Sequence, residues 1–237
     1  DPFDPTKDMR IDFTCYSVGS SPIDHSAWCN GAGPQIVRIE RGSDPPDTCK
    51  AERYEVPLDH PATGARGLEV DSHGIVWVNF TNAEYMGSFD RSKCRVLNGP
   101  DATGQHCPEG WTLYRTPGPQ MKGVTDPGSA DFHYYNWVDQ FNTLGLGANI
   151  PIANGSGSDS LLALDPNTGD WMVLRIPYPL GFFSRGLDGR IDDPDAGWKG
   201  RGLWANYGGN FNWHIEGGKG TPSKMVHFQI RPHPLAE

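Results

Sequence analysis

Leu161-Leu162-Ala163-Leu164-Asp165-Pro166-Asn167-Thr168-Gly169-Asp170-Trp171-Met172-Val173-Leu174-Arg175-Ile176-Pro177 reads as two short β-prone runs joined by a turn. Pro166 suits a position that needs no ladder N–H, and Asn-Thr-Gly supplies turn chemistry, so the stretch predicts a hairpin. Both runs recur. Val173–Pro177 aligns with Arg53-Tyr54-Glu55-Val56-Pro57 and with Leu113-Tyr114-Arg115-Thr116-Pro117, and the three prolines stand 60 residues apart, twice. Leu161–Asp165 aligns with Ile36-Val37-Arg38-Ile39-Glu40, Met86-Gly87-Ser88-Phe89-Asp90 and Met225-Val226-His227-Phe228-Gln229. A third series ends in asparagine: Trp28-Cys29-Asn30, Trp77-Val78-Asn79, Ile152-Ala153-Asn154 and Trp204-Ala205-Asn206. The series keep one order along the chain. Four short strands per unit fit a β-propeller blade or a sandwich, and the repeat selects the propeller, because a sandwich has no reason to repeat.

The expected fold is therefore all-β, a β-propeller of about four blades with long insertions. The blades lie near residues 10–57, 67–117, 132–177 and 185–237, in a single propeller domain or half-propeller spanning 1–237. The innermost strands are expected at Arg10–Ser17, Gly67–Asp71, Phe132–Val138 and Arg185–Arg190. The fourth unit yields three strands, so either a compact four-bladed ring closes on itself, or another protein chain or a missing chain segment completes a larger one. The insertions Lys93–Gly110 and Ile191–Arg201 are long enough to carry function.

Composition agrees with this fold. Of 237 residues, 30 are Gly and 21 Pro, about a fifth together, which leaves little room for long helices. The net charge of −9, with no Lys/Arg-rich run, removes the footprint of a nucleic-acid binder or an anionic-membrane binder. No run of about 18 apolar residues predicts a membrane span. The opening Asp1-Pro2-Phe3-Asp4 reads as a mature or clipped product.

Arg66-Gly67-Leu68-Glu69-Val70-Asp71-Ser72-His73-Gly74-Ile75-Val76-Trp77-Val78-Asn79, with Gly87-Ser88-Phe89-Asp90, resembles a blade of the streptogramin lyase (virginiamycin B lyase) propellers, whose blades carry a P-H-G-I-x-V-D-x-x-G-x-x-W-F-T-E type of run. The resemblance covers about a quarter of the chain. It implies propeller architecture and, for the family, seven-bladed rings that cleave a cyclic peptide by metal-assisted elimination. The family places a His at the start of an inner strand and a Glu just after the Trp; the matching positions here hold Arg66 and Phe80, and in the fourth unit Arg185 and Tyr207. The catalytic pattern is absent at those positions.

Aligning the unit starts puts Arg10, Arg66, His133 and Arg185 at the head of each innermost strand, where one basic group per blade would converge on an axial channel. This pattern points to a small anionic ligand held by charge-assisted hydrogen bonds, with His133 as the titratable member. The alternative is pairing of each Arg with a carboxylate such as Glu69, Asp71 or Asp188. Asp188, Asp192, Asp193 and Asp195 crowd eight residues, and oxygen-only ligands in a loop suit Ca²⁺ or Mg²⁺, or else form a solvated acidic turn beside Arg190 and Lys199. His214 and Glu216, two apart ahead of a Gly-rich turn, could act as a base with its orienting carboxylate or as metal ligands, or simply pack. Patterns for a nucleotide P-loop, covalent haem or a hydrolase serine elbow are absent from the sequence.

Cys94 and Cys107 bracket the second unit's insertion and predict a disulfide; Cys15 and Cys29 form a second candidate pair, with Cys49 left over or replacing one of them. Two bridges imply a periplasmic or secreted protein. The sequon at Asn154 is open to glycosylation, the one at Asn79 is discounted as buried, and the repeated asparagines are expected to bond the following turns. Two function classes remain: a binding or assembly module with a basic axial channel, or a metal-dependent lyase-like enzyme with His133, His214 and Glu216 as candidate catalytic groups.

Overall fold

A computed structural model describes residues 4, 6, 11–45, 47–118, 122–123, 133–155, 158–176, 184, 186–207, 224–233 and 235. The first sheet takes β1 (Ser17–Ser20), β2 (Ala27–Asn30), β3 (Gln35–Glu40) and β4 (Lys50–Glu55) in sequential order. The second takes β5 (Ala65–Val70), β6 (Val76–Phe80), β7 (Tyr85–Phe89) and β8 (Trp111–Arg115). In the third are β9 (His133–Asp139), β10 (Ile150–Gly155), β11 (Ser160–Leu164) and β12 (Trp171–Arg175), and in the fourth β13 (Leu187–Ile191), β14 (Arg201–Tyr207) and β15 (Lys224–Phe228). Every neighbouring pair is antiparallel. The fold class is thus the expected one, an all-β propeller type built from four blade-like meanders. Two compact units divide them, Asp1–Arg115 and Thr116–Glu237.

Two turns show why these residues form these hairpins. Between β5 and β6, Asp71 Oδ1 accepts the N–H groups of His73 and Ile75, both at 2.9 Å, and Oδ2 accepts the Trp77 indole N–H at 3.1 Å. Gly74 supplies the left-handed turn residue at φ 84°. The Asp-x-x-Gly-x-x-Trp spacing is therefore a turn and its brace. Between β11 and β12, Asp165 Oδ1 accepts the Asn167 N–H at 2.9 Å and Gly169 sits at φ 79°, as the opening sequence stretch predicts.

In the first unit, β1–β4 and β5–β8 bury one face of each sheet against the other: Trp28, Ile36 and Tyr54 pack with Leu68, Val78, Phe80, Phe89 and Trp111. In the second unit Ile152, Leu161 and Ala163 pack with Leu203 and Ala205. Each large side chain buried this way contributes about 1.5–3 kcal/mol. The two blades of the second unit also touch where the Trp137 ring occupies the space a Cβ would take at Gly189. Among the described residues no helix is long and apolar enough to cross a membrane.

The clearest departure from expectation is the first strand, which begins at Ser17 rather than Arg10. Ile11, Phe13 and Cys15 alternate with polar residues as a strand would, but pairing starts only where the Tyr16 N–H reaches the Asn30 carbonyl at 2.6 Å. Phe13 packs on Gly31 instead of entering the ladder. The other strands fall within about three residues of their expected bounds.

Candidate functional site

Arg66 stands at the head of β5, at a bulge where the register jumps between Ala65 and Leu68. Its guanidinium lies 4.8 Å from the centroid of the Tyr16 ring, a cation–π contact made by a residue just before β1. Asp71, a carboxylate that could have neutralised it, is buried and committed to Trp77 and its own turn. Among the described residues no carboxylate forms an ion pair with Arg66.

His133 heads β9 and is fully buried. Burial lowers its pKa to about 4, against a smaller opposing effect of a backbone hydrogen bond, so the imidazole is neutral near pH 7 and brings no positive charge. Arg10, Arg185, His214 and Glu216 lie outside the described residues. Phe80, at the position where the lyase resemblance places a Glu, is buried in the core and offers no acid–base group.

The acidic segment is already engaged. Arg190 Nε and Asp192 Oδ1 pair at 3.1 Å across an exposed surface. Asp193 Oδ1 accepts the Asp195 N–H at 3.0 Å and caps the short 3-10 segment Pro194–Gly200. Among the described residues no group of three or more His, Cys, Asp or Glu side chains is gathered in a metal-binding arrangement.

The strongest charge constellation lies in the first unit and was not singled out from the sequence. Glu52 is buried on β4, directly opposite Arg38 on β3. Arg91, in the 3-10 turn Arg91–Lys93, grips Glu52 with two bonds of 2.6 Å, and Tyr54 donates its hydroxyl proton to Glu52 at 2.7 Å. Arg38 completes the chain, donating to Glu52 at 3.1 Å and to Asp24 at 2.7 Å. Burial alone would raise the Glu52 pKa, but hydrogen bonds from Arg91 and Tyr54 and the two guanidinium charges outweigh it and hold the carboxyl below its ordinary range. Both Glu52 oxygens are taken up within the network, which ties β3 and β4 to the Arg91–Lys93 turn; the buried Arg38 Nε alone has no hydrogen-bond partner among them. The signal was available in sequence: an Arg interrupting the apolar run Ile36-Val37-Arg38-Ile39, with a Glu at the matching position of the next strand.

Cys15–Cys29 and Cys94–Cys107 are both disulfides, and Cys49 is a free, exposed thiol. Asn79 is fully buried, as expected. Asn154 is fully buried too, so its sequon is not open to glycosylation. Its side chain, like that of Asn30, bonds the heads of inner strands instead of a following turn.

No family model matches the chain, and no curated protein matches it in sequence. Similar solved structures include a streptogramin B lyase, 14% identical with a TM-score of 0.44, the match covering 93% of this chain and 70% of that one. A virginiamycin B lyase from Staphylococcus aureus is 15% identical with a TM-score of 0.38 over 93% and 71% of the two chains. A putative 6-phosphogluconolactonase from Bacteroides uniformis is 10% identical with a TM-score of 0.48 over 92% and 53%.

Proposed function

We propose that the protein is an extracytoplasmic propeller-type binding module that takes a small anionic ligand at Arg66. The observation that carries this reading is the arginine itself: half-buried, stacked on Tyr16, and without an ion-pair partner among the described residues in a chain of net charge −9. A guanidinium held over an aromatic ring by a cation–π contact has N–H donors left for a carboxylate, sulfate or phosphate. Arg10 and Arg185 are proposed to serve the same ligand class in their own blades. The two disulfides support an oxidising compartment, periplasmic or exterior. The fourth sheet, three-stranded among the described residues, supports the further proposal that another chain or chain segment completes the ring. Calorimetric titration with sulfate, phosphate and di- and tricarboxylates, comparing the wild type with Arg66→Ala, tests the ligand; native mass of the secreted protein tests the assembly.

A further inference from the structure

Residues 91–107 leave the second sheet and return to it, and on the way they lie along β4, the outermost strand of the first sheet. Gly104 O accepts the Glu55 N–H at 2.8 Å, so the segment fills a hydrogen-bonding position that a fifth strand would take. Thr103 O accepts a bond from Arg53 Nη2 at 3.2 Å, and Gln105 Nε2 donates to Glu55 Oε2 at 3.0 Å and to Val56 O at 3.1 Å. The approach is close enough to require glycine: Gly104 sits at φ 99°, and a Cβ there would come 2.9 Å from the Glu55 carboxyl carbon. At one end the Arg91–Glu52 fork anchors the segment; at the other, Cys107 is buried in the core. Between them, the contacts to β4 are few and partly exposed, and the Cys94–Cys107 bridge is what keeps the loop short.

We infer that this segment is a redox-releasable strap over the β4 edge, held closed by the Cys94–Cys107 disulfide. The two sulfurs differ in access, since Cys107 is 2% exposed while Cys94 is only partly buried. A dithiol reductant therefore attacks at Cys94: its thiolate bonds to Cys94 Sγ, the S–S bond breaks, and the electron pair leaves on Cys107 Sγ, which takes up a proton. The reductant's second thiolate then displaces Cys94 Sγ, which is protonated in turn, and the reductant departs as an intramolecular disulfide. The freed loop gains conformational entropy, its bonds to β4 are lost, and the strand edge becomes available for pairing.

Hydrogen exchange read by mass spectrometry tests this on the intact protein. In Cys94→Ser/Cys107→Ser, peptides covering Lys50–Glu55 should exchange at least tenfold faster than in wild type, with Val76–Phe80 unchanged within about twofold. Unchanged exchange at Lys50–Glu55, or an equal rise everywhere, would overturn the inference. Should the variant not fold, wild type treated briefly with a limiting monothiol, 2-mercaptoethanol, gives a second reading: the mixed disulfide trapped on Cys94 and local loss of protection at Lys50–Glu55 support the strap, whereas trapping on Cys107 or global loss contradicts it.

Discussion

Asn30 Nδ2 donates to the Gly67 carbonyl at 3.2 Å while Asn30 Oδ1 accepts the Ser17 N–H at 3.2 Å, so one buried amide ties the head of β1 to the head of β5. Asn154 does the same work in the second unit. Its Oδ1 accepts the N–H groups of Tyr134 and Tyr135 at 2.7 and 2.8 Å, and its Nδ2 donates to the carbonyl of Ser184, ahead of β13. At these two positions the recurring asparagine is a joint between successive inner strands. Removing it as Asn30→Ala strands a buried donor and a buried acceptor and should cost about 2–4 kcal/mol. Asn30→Asp keeps the acceptor but loses the donor and is expected to be no better. Urea unfolding of the two variants checks both statements.

The Glu52 network predicts how stability depends on acid. Its carboxyl titrates below the ordinary 4.5 in the folded protein, so its contribution is complete above that pH and is lost as pH falls through the depressed folded value. Glu52→Gln leaves two guanidiniums facing a neutral amide, one of them buried, and should cost about 3–5 kcal/mol at pH 7. The same variant should flatten the stability curve below pH 4.5. Thermal unfolding across that range measures it.

His133 acts in a different window. Its folded pKa of about 4 lies below the ordinary 6.5, so between these values the unfolded chain binds more protons and stability rises with pH. Acidifying from 6.5 to 4 should remove about 3 kcal/mol through this residue alone. In His133→Asn that slope should vanish, while the loss below pH 4.5 due to Glu52 persists.

Gly189 predicts a steric cost. Since the Trp137 ring fills the place of its missing side chain, Gly189→Ala should destabilise the protein by about 1–3 kcal/mol through overpacking between β9 and β13. Trp137→Leu in the same chain should recover part of the loss. A double-mutant cycle reads the coupling.

Much of this architecture was legible in the chain, because turns and repeats are local. Asp165–Asp170 and Asp71–Trp77 place their hairpins from residues within a few positions of one another, and β3 and β15 start one residue ahead of their apolar runs. The start of β1 was not legible, since period-two alternation from Ile11 to Cys15 mimics a strand and only the long-range Tyr16–Asn30 pairing shows where the ladder begins. For the same reason the role of the asparagines was misread: their partners lie up to 37 residues away, at Gly67 for Asn30, not in the adjacent turn. The Cys15–Cys29 bridge was one of the open pairings, suggested by placing both cysteines on neighbouring strands, and the structure has it, with Cys49 left free. The buried charge of the Arg91–Glu52 pair, 39 residues apart, was not legible.

Arg66 remains the centre of the functional account, and anion binding addresses it directly. Calorimetry at low salt should show a small carboxylate, sulfate or phosphate binding to the wild-type protein, with affinity reduced at least tenfold in Arg66→Ala and partly restored in Arg66→Lys, while the melting temperatures of all three proteins agree within about two degrees. Binding that is equal in wild type and Arg66→Ala, or no binding of any such anion, would contradict it.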